Sequence, residues 1–289
     1  MGDILDRDKV FNAMKGCKII FHLAAKHHEF TVGPQKGLKI NKKDFYETNV
    51  KGTKNLLDIA SELNISNFIF FSSVAVYGER NLPSDETKNP KPDTDYGKSK
   101  LTAEKLICDW VRSNCFNKAL IIRPVVVYGE NNWANVYHLI DSIAKNRFLQ
   151  VGRGSNKKAM AYIENLYEAV IFAWNNMKNK NRRLEIYNYT DYPILTTKEI
   201  IDLIYKALDK TKPPFYIPYF IGLLGGKVFD IVSYFTSNDI PISSEKIKKF
   251  CSSTEHFAEK IRKEGFKQKY TIEYGLNKMV SWYKTVNGS

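Results

Sequence analysis

Residues 67–104 read NFIFFSSVAVYGERNLPSDETKNPKPDTDYGKSKLTAE. After Asn67 the next four residues are apolar and aromatic, as in a parallel strand buried on both faces. The run ends in Ser72 and Ser73. A loop punctuated by Pro83, Pro90 and Pro92 follows, and a helix is expected from about 95 to 113. That helix carries Tyr96 and Lys100, four residues apart and therefore one turn apart on one face. An ammonium beside a phenol favours the phenolate and lowers a pKa that is ordinarily about 10. Bringing it near 7 takes roughly three units, or about 4 kcal/mol of differential interaction. A serine hydroxyl could then hold a substrate oxygen while the tyrosine takes its proton. Tyr-x-x-x-Lys by itself is common and usually marks a lysine stem lying along a helix. The functional reading rests on the ordered set: buried strand, serine pair, loop, then helix with Tyr and Lys.

Outward from this stretch the chain alternates. A strand is expected over 18–25 and a long helix over 44–64, whose apolar face is Val50, Leu56, Leu57 and Ala60. Another strand is expected over 118–128, and a helix from about 164. Apolar strands alternating with amphipathic helices predict an α/β, Rossmann-like doubly wound parallel sheet. The later segments, with their Pro/Gly-rich region at 213–226, are expected to form a smaller C-terminal substrate lobe. The expected division is 1–130 with about 160–190 in the sheet domain, and about 131–159 with 191–289 in the lobe.

Composition narrows the function classes. The 289 residues are 43% hydrophobic and 13% aromatic, as in globular domains. Four cysteines, Cys17, Cys108, Cys115 and Cys251, have neither CxxC nor metal-ligand spacing; they read as buried thiols of a reducing compartment, and no metal site is expected. Basic residues exceed acidic ones, 44 to 31, for a net charge of +13. They are dispersed, apart from KIKK at 246–249 and a cluster at 259–269. No aromatic-interleaved basic motif points to nucleic acid. A diphosphate needs only two or three such charges. The stretch 213–226 is too short and too interrupted to span a bilayer, although it could lie on a membrane surface.

The quoted residues, with VYG at 76–78 and YGKSK at 96–100, resemble the short-chain dehydrogenase/reductase superfamily in its extended, nucleotide-sugar epimerase/dehydratase branch. The resemblance covers nearly the whole chain and is looser beyond Asp191. It implies an NAD cofactor, catalysis by Ser73, Tyr96 and Lys100, and a cofactor lined by Asp3, Ile4, Leu23, Ala24, Ala25, Asn49 and Ser72, together with Tyr96 and Lys100. It implies substrate contacts at Asn135 and Val136, and diphosphate contacts at Lys158 and Lys246. Lys158 stands where many relatives carry arginine, which supplies a bidentate fork that lysine lacks. Val126 stands where some sugar epimerases carry asparagine. A cytoplasmic homodimer is expected.

One expected part is missing. A dinucleotide-binding sheet holds the pyrophosphate at a glycine-rich turn and a helix N-terminus, yet neither GxGxxG nor GxxGxxG occurs in the sequence. Gly152-Arg153-Gly154 lies far down the chain without a third glycine at the required position. The expectation is an N-terminally truncated pattern, short of roughly two strand–helix units, binding NAD weakly on its own. The segment that would separate NAD from NADP is not legible. The resulting reading is NAD-dependent epimerisation of a nucleotide sugar through a transient keto sugar. The alternatives are a hydroxysteroid or sterol dehydrogenase of the same superfamily, and, from another class, a non-catalytic binding remnant. A 4,6-dehydratase is not expected, because Val74 and Ala75, not Asp-Glu, follow Ser73.

Overall fold

The structure, a computed structural model, describes residues 2–27, 42–79, 82–236 and 243–288. In chain order the first elements are α1 (Arg7–Met14), β1 (Ile20–His22), α2 (Lys42–Phe45), a π-helical turn (Tyr46–Lys51), α3 (Gly52–Glu62) and β2 (Asn67–Phe71). A 3-10 turn (Val74–Tyr77) precedes α4 (Asp95–Ser113), β3 (Lys118–Pro124), β4 (Val126–Tyr128) and α5 (Asn135–Ala144). Next come β5 (Lys157–Lys158), β6 (Met160–Tyr162), α6 (Ile163–Asn179), β7 (Leu184–Tyr189), β8 (Leu195–Thr196) and α7 (Thr197–Ala207). The chain ends in α8 (Tyr219–Thr236), α9 (Ser244–Cys251), α10 (Glu259–Lys263) and α11 (Ile272–Asn287).

The chain divides into two compact units: 1–127 with 163–190 and 256–269, and 128–162 with 191–255 and 270–289. In the first unit the sheet order is β1-β2-β3-β7, every neighbour parallel. Phe70 lies opposite His22 on one side and Ile121 on the other. Phe68, Ile69, Phe70, Leu120, Ile121 and Ile122 are all buried, because helices cover both faces of a parallel sheet. Trp110 of α4 closes the core with Ile107, Ala60 and Phe68, and its indole N–H donates to Ser61 Oγ at 2.9 Å.

Residues 256–269, expected in the lobe, pack in the sheet unit. The reason is a polar and aromatic seam on β7. Glu264 pairs with Arg182 at 2.7 Å and accepts from the Tyr187 hydroxyl at 2.6 Å. Lys260 pairs with Glu185 at 2.5 Å, and Phe266 packs its ring against Phe172 and Tyr189.

In the second unit β5 and β8 form a short antiparallel pair. Thr196 and Glu199 close a reciprocal capping box at the start of α7. Tyr283 of α11 donates to Asp141 of α5 at 2.9 Å. Among the described residues, no helix is long and apolar enough to cross a membrane.

The cysteines correct the sequence reading. Cys17 and Cys115 are exposed, and Cys108 and Cys251 are half-buried. Cys17 follows Gly16 in the turn after α1, and Cys115 lies in the turn after α4; turns run over the surface, where their backbone groups meet water.

Candidate active site

The site grows from the way β2 ends and α4 begins. After Phe71 the chain leaves the sheet, and Ser73 caps the 3-10 turn, its Oγ accepting from the Ala75 N–H at 3.2 Å. Thr94 caps α4, its hydroxyl accepting from the Gly97 N–H at 3.1 Å. The first turn of α4 lies directly against the turn after β2. A Cβ at Gly97 would sit 2.4 Å from the Ala75 carbonyl oxygen, so only glycine permits the approach. That approach sets the Tyr96 phenol near Ser73, close enough for the serine hydroxyl to favour the phenolate. The Tyr96 ring also meets His27 edge-on, with centroids 5.1 Å apart.

Lys100, one turn further, is buried, and its ammonium donates to the Phe71 carbonyl at 2.7 Å, at the carboxyl end of β2. It lies 4.6 Å over the Phe70 ring. Burial pulls its pKa down to about 8, against the opposing pull of Glu104. Burial pushes the Tyr96 phenol up to about 12, and the nearby Ser73 hydroxyl lowers it only in part. This differs from the expectation drawn from the four-residue spacing. The lysine ammonium is held by the end of β2 and is not among the groups acting on the phenol, so burial decides the direction.

His22, at the end of β1, lies beside this lysine. Its Nε2 is 2.8 Å from Thr53 Oγ1, whose own proton goes to the Asn49 carbonyl at 2.7 Å. Thr53 can therefore only accept from the ring, which assigns the proton to Nε2 and leaves Nδ1 a bare acceptor. Nδ1 is buried and has no partner among the described residues. Burial first, and the Lys100 charge second, hold the imidazole down to about 3, so it is neutral.

Asn49 sits in the π-helical turn, a local widening often found at functional sites. Its Oδ1 accepts from the Lys26 N–H at 2.8 Å, and its Nδ2 donates to the Lys26 carbonyl and to Ser99 Oγ, both at 3.0 Å. It thus ties the segment that follows β1 to α4, between Tyr96 and Lys100.

Two residues that the motif reading passed over complete the site. Glu104, two turns beyond Tyr96, accepts from Ser72 Oγ at 2.5 Å. It also holds Arg123 of β3 through both carboxylate oxygens, from Nε at 2.9 Å and Nη2 at 2.6 Å. Arg123 Nη1 donates to the Tyr77 hydroxyl at 2.8 Å, which donates to Asn188 of β7 at 2.9 Å. This buried chain fixes the Ser72–Ser73 corner to three strands and α4. A signal for Glu104 exists in the sequence: a carboxylate in the same helical stripe as Tyr96, Lys100, Ile107 and Val111, where charge is rare unless paired.

The remaining expected site residues fall as follows. Leu23, Ala24 and Ala25 follow the carboxyl end of β1, with Leu23 and Ala24 exposed. Asp3 is exposed, and its carboxylate accepts from the Leu5 N–H at 2.9 Å within its own turn. The Ile4 side chain abuts Gly52, and its carbonyl accepts from Asn55 at 2.8 Å. Asn135, Val136, Lys158 and Lys246 belong to the second unit. Asn135 and Val136 open α5, Asn135 exposed and Val136 half-buried. Lys246 is exposed in the first turn of α9. The Lys158 ammonium donates to the Lys249 and Ser252 carbonyls, each at 2.7 Å, closing the C-terminal end of α9. Cations are favoured there because those carbonyls have no helical partners. Among the described residues, no group of three His, Cys, Asp or Glu side chains could hold a metal ion.

A parallel sheet with Ser, Tyr and Lys gathered at the carboxyl ends of its strands is the arrangement of a short-chain dehydrogenase/reductase. The chain belongs to the NAD dependent epimerase/dehydratase family, whose model matches residues 1–188. It is 36% identical over 283 residues to the N-acetyl-alpha-D-glucosaminyl-diphospho-ditrans,octacis-undecaprenol 4-epimerase of Escherichia coli O157:H7, covering 98% of this chain and 82% of that one. It is 30% identical over 254 residues to the UDP-glucose 4-epimerase of Vibrio cholerae, covering 85% and 75%. Among solved structures it resembles the UDP-glucuronic acid 4-epimerase from Bacillus cereus in complex with NAD, with TM-score 0.73 and 19% identity over 99% of this chain and 80% of that one. At that identity the likeness is one of fold.

The cofactor is NAD, and the residues at the ends of β1 and β2 fit its nicotinamide-ribose end. Lys100 spends one of its three protons on Phe71, and His22 Nδ1 is an unpartnered buried acceptor. Donors and acceptors of that kind suit a diol at the place where doubly wound sheets bind ligands.

Proposed function

We propose that this chain serves NAD-dependent 4-epimerisation of a sugar joined through diphosphate to a nucleotide or a polyprenol. The observation that carries the reading is the Tyr96 phenol set near Ser73 with buried Lys100 one turn on. The 4-epimerase relatives support the position of attack and the diphosphate linkage. NAD, when bound, would supply reversible hydride transfer at the sugar's C4. Tyr96 takes the C4 hydroxyl proton as the hydride leaves and returns it once the keto sugar has turned over. Ser73, near the phenol, shares that proton and orients the sugar oxygen. For Tyr96 to act near neutral pH its phenol must fall from about 12 to near 7, about 7 kcal/mol of differential interaction. A second donor to the phenolate oxygen, and a cation brought beside it, both act in that direction. Lys100 is a buried cation one turn along this helix, and it fixes the hydroxyls of the neighbouring ribose. Glu104 and Arg123 keep the serine corner from moving as charge develops.

The test is incubation of the full chain with UDP-glucose and UDP-N-acetylglucosamine at substoichiometric NAD, following the anomeric proton signals of the C4 epimers. Epimer without net NADH is the expected result. Stoichiometric NADH with a released ketone would instead assign a dehydrogenase.

A further inference from the structure

The helix α8 is packed the wrong way round for a water-soluble surface. Two of its three glycines, Gly222 and Gly226, face the protein. A Cβ at Gly222 would lie 2.5 Å from Val151, and one at Gly226 would lie 2.8 Å from Ile247 and 2.9 Å from Ser244. In its first half, large apolar side chains face outward: Phe220 is 65% exposed, Ile221 50%, Leu224 60% and Val228 58%. Positions 220, 224 and 228, with 221 beside them, lie on one side of a helix. Phe215, also exposed, lies in the segment that leads into α8. A surface helix normally buries its large apolar stripe and turns small or polar residues to water. Here the stripe is left for another apolar medium.

The surroundings indicate which medium. Residues 145–158 contain five basic residues and no acidic one. That segment is bound to the base of the apolar face: Gly152 N–H donates to the Ile217 carbonyl and Ile217 N–H to the Gln150 carbonyl, both at 2.8 Å. Exposed Arg153 donates to the Tyr216 hydroxyl at 3.3 Å. Arg147 and Lys227 are exposed nearby in sequence, and the whole chain carries +13. Phe and Tyr at the boundary, aliphatic residues beyond them and arginine alongside are what an interfacial helix presents to acyl chains and anionic headgroups.

We propose that the outward face of α8, with Phe215, docks on an anionic bilayer surface, and that the sugar diphosphate is therefore taken in its lipid-linked form. The second half of this inference rests on the function proposed above; the docking itself does not. The helix lies in the interface without spanning it.

The experiment is flotation of the full chain with vesicles of phosphatidylcholine containing about 30% phosphatidylglycerol, and with phosphatidylcholine alone. Wild type is expected to float with the anionic vesicles, less with the neutral ones, and less at high salt. The triple variant Phe220→Ser, Leu224→Ser, Val228→Ser, exposed at every position, is expected to keep its melting temperature and its turnover of soluble UDP-sugar. Its vesicle partition coefficient is expected to fall roughly tenfold or more. Tyr167→Ser, an exposed aromatic of the other unit, is expected to float like wild type. No flotation of wild type, or flotation unchanged in the triple variant, would overturn the proposal. So would a dimer, seen by light scattering without lipid, that the triple variant dissociates, which would assign the face to a second copy of the chain. Flotation as expected without epimerisation of any sugar would overturn the functional reading and leave the docking surface standing.

Discussion

Glu104→Gln is the most informative single substitution in the sheet unit. The carboxylate and its arginine are almost fully enclosed, with side chains 3% and 6% exposed. Three hydrogen bonds end on the two carboxylate oxygens, two from Arg123 and one from Ser72. The amide keeps the shape and one accepting oxygen, but it turns an NH2 group toward donors and leaves the guanidinium charge buried without a counter-charge. Removing one partner of a buried pair costs about 3–5 kcal/mol; the retained oxygen places this variant near the lower end. At about 2–4 °C per kcal/mol for a unit of this size, the melting temperature should fall by roughly 6–12 °C. Calorimetry of wild type, Glu104→Gln and the apolar pair Glu104→Leu/Arg123→Met checks the reasoning. The apolar pair should recover part of the loss, because no charge is stranded. Recovery stays incomplete, because Ser72 and Tyr77 each lose a buried partner at about 1–3 kcal/mol apiece. A melting temperature within about 2 °C of wild type for Glu104→Gln would refute the claim that this pair anchors the serine corner.

Tyr96→Phe removes one hydroxyl from a buried ring, so folding is expected to survive while epimerisation falls by about 10²–10⁴-fold; a wild-type-like kcat would eliminate Tyr96 as the base. The purified protein is expected to form no 4-keto-6-deoxy sugar, since Val74 and Ala75 in the turn after Ser73 cannot move protons; mass spectrometry of the product checks this. Acid unfolding should reveal His22. Its folded pKa is held down to about 3 and its unfolded value is near 6.5, so the unfolded state binds the extra proton between those values. Stability is therefore lost as pH falls through that window, by up to about 5 kcal/mol. His256, held down to about 4 by burial, acts in the same sense. His22→Phe should flatten the slope of melting temperature against pH between about 6.5 and 3, and an unchanged slope would count against the assignment. Lys100 acts at the other end. Its folded value of about 8 lies below the unfolded value near 10.4, so the sheet unit should gain stability as pH rises from 8 to about 10, unlike Lys100→Met.

How much of this was legible in the sequence depended on the range of the interaction. The apolar run at 67–71, the proline loop and the four-residue spacing of Tyr96 and Lys100 are local. Strand burial and helical period sufficed to read them as a parallel sheet with a reactive helix face, and α4 runs over the expected residues, Asp95–Ser113. The motif placed Asn49 beside the site, but its clamp on Lys26 and Ser99 joins residues 23 and 50 positions apart, which no spacing rule supplies. The direction of the Tyr96 shift was likewise a tertiary matter. Proximity along a helix predicts attraction between ammonium and phenol, while enclosure by neighbouring elements penalises the phenolate and ties the ammonium to Phe71. The same holds for Lys158, whose charge was visible but whose partners on α9 lie more than 90 positions away. The stretch 213–226 could be read from the sequence as lying on a membrane surface. Only packing decided, by pressing Gly222 and Gly226 inward against Val151 and Ile247 and leaving the large side chains outside.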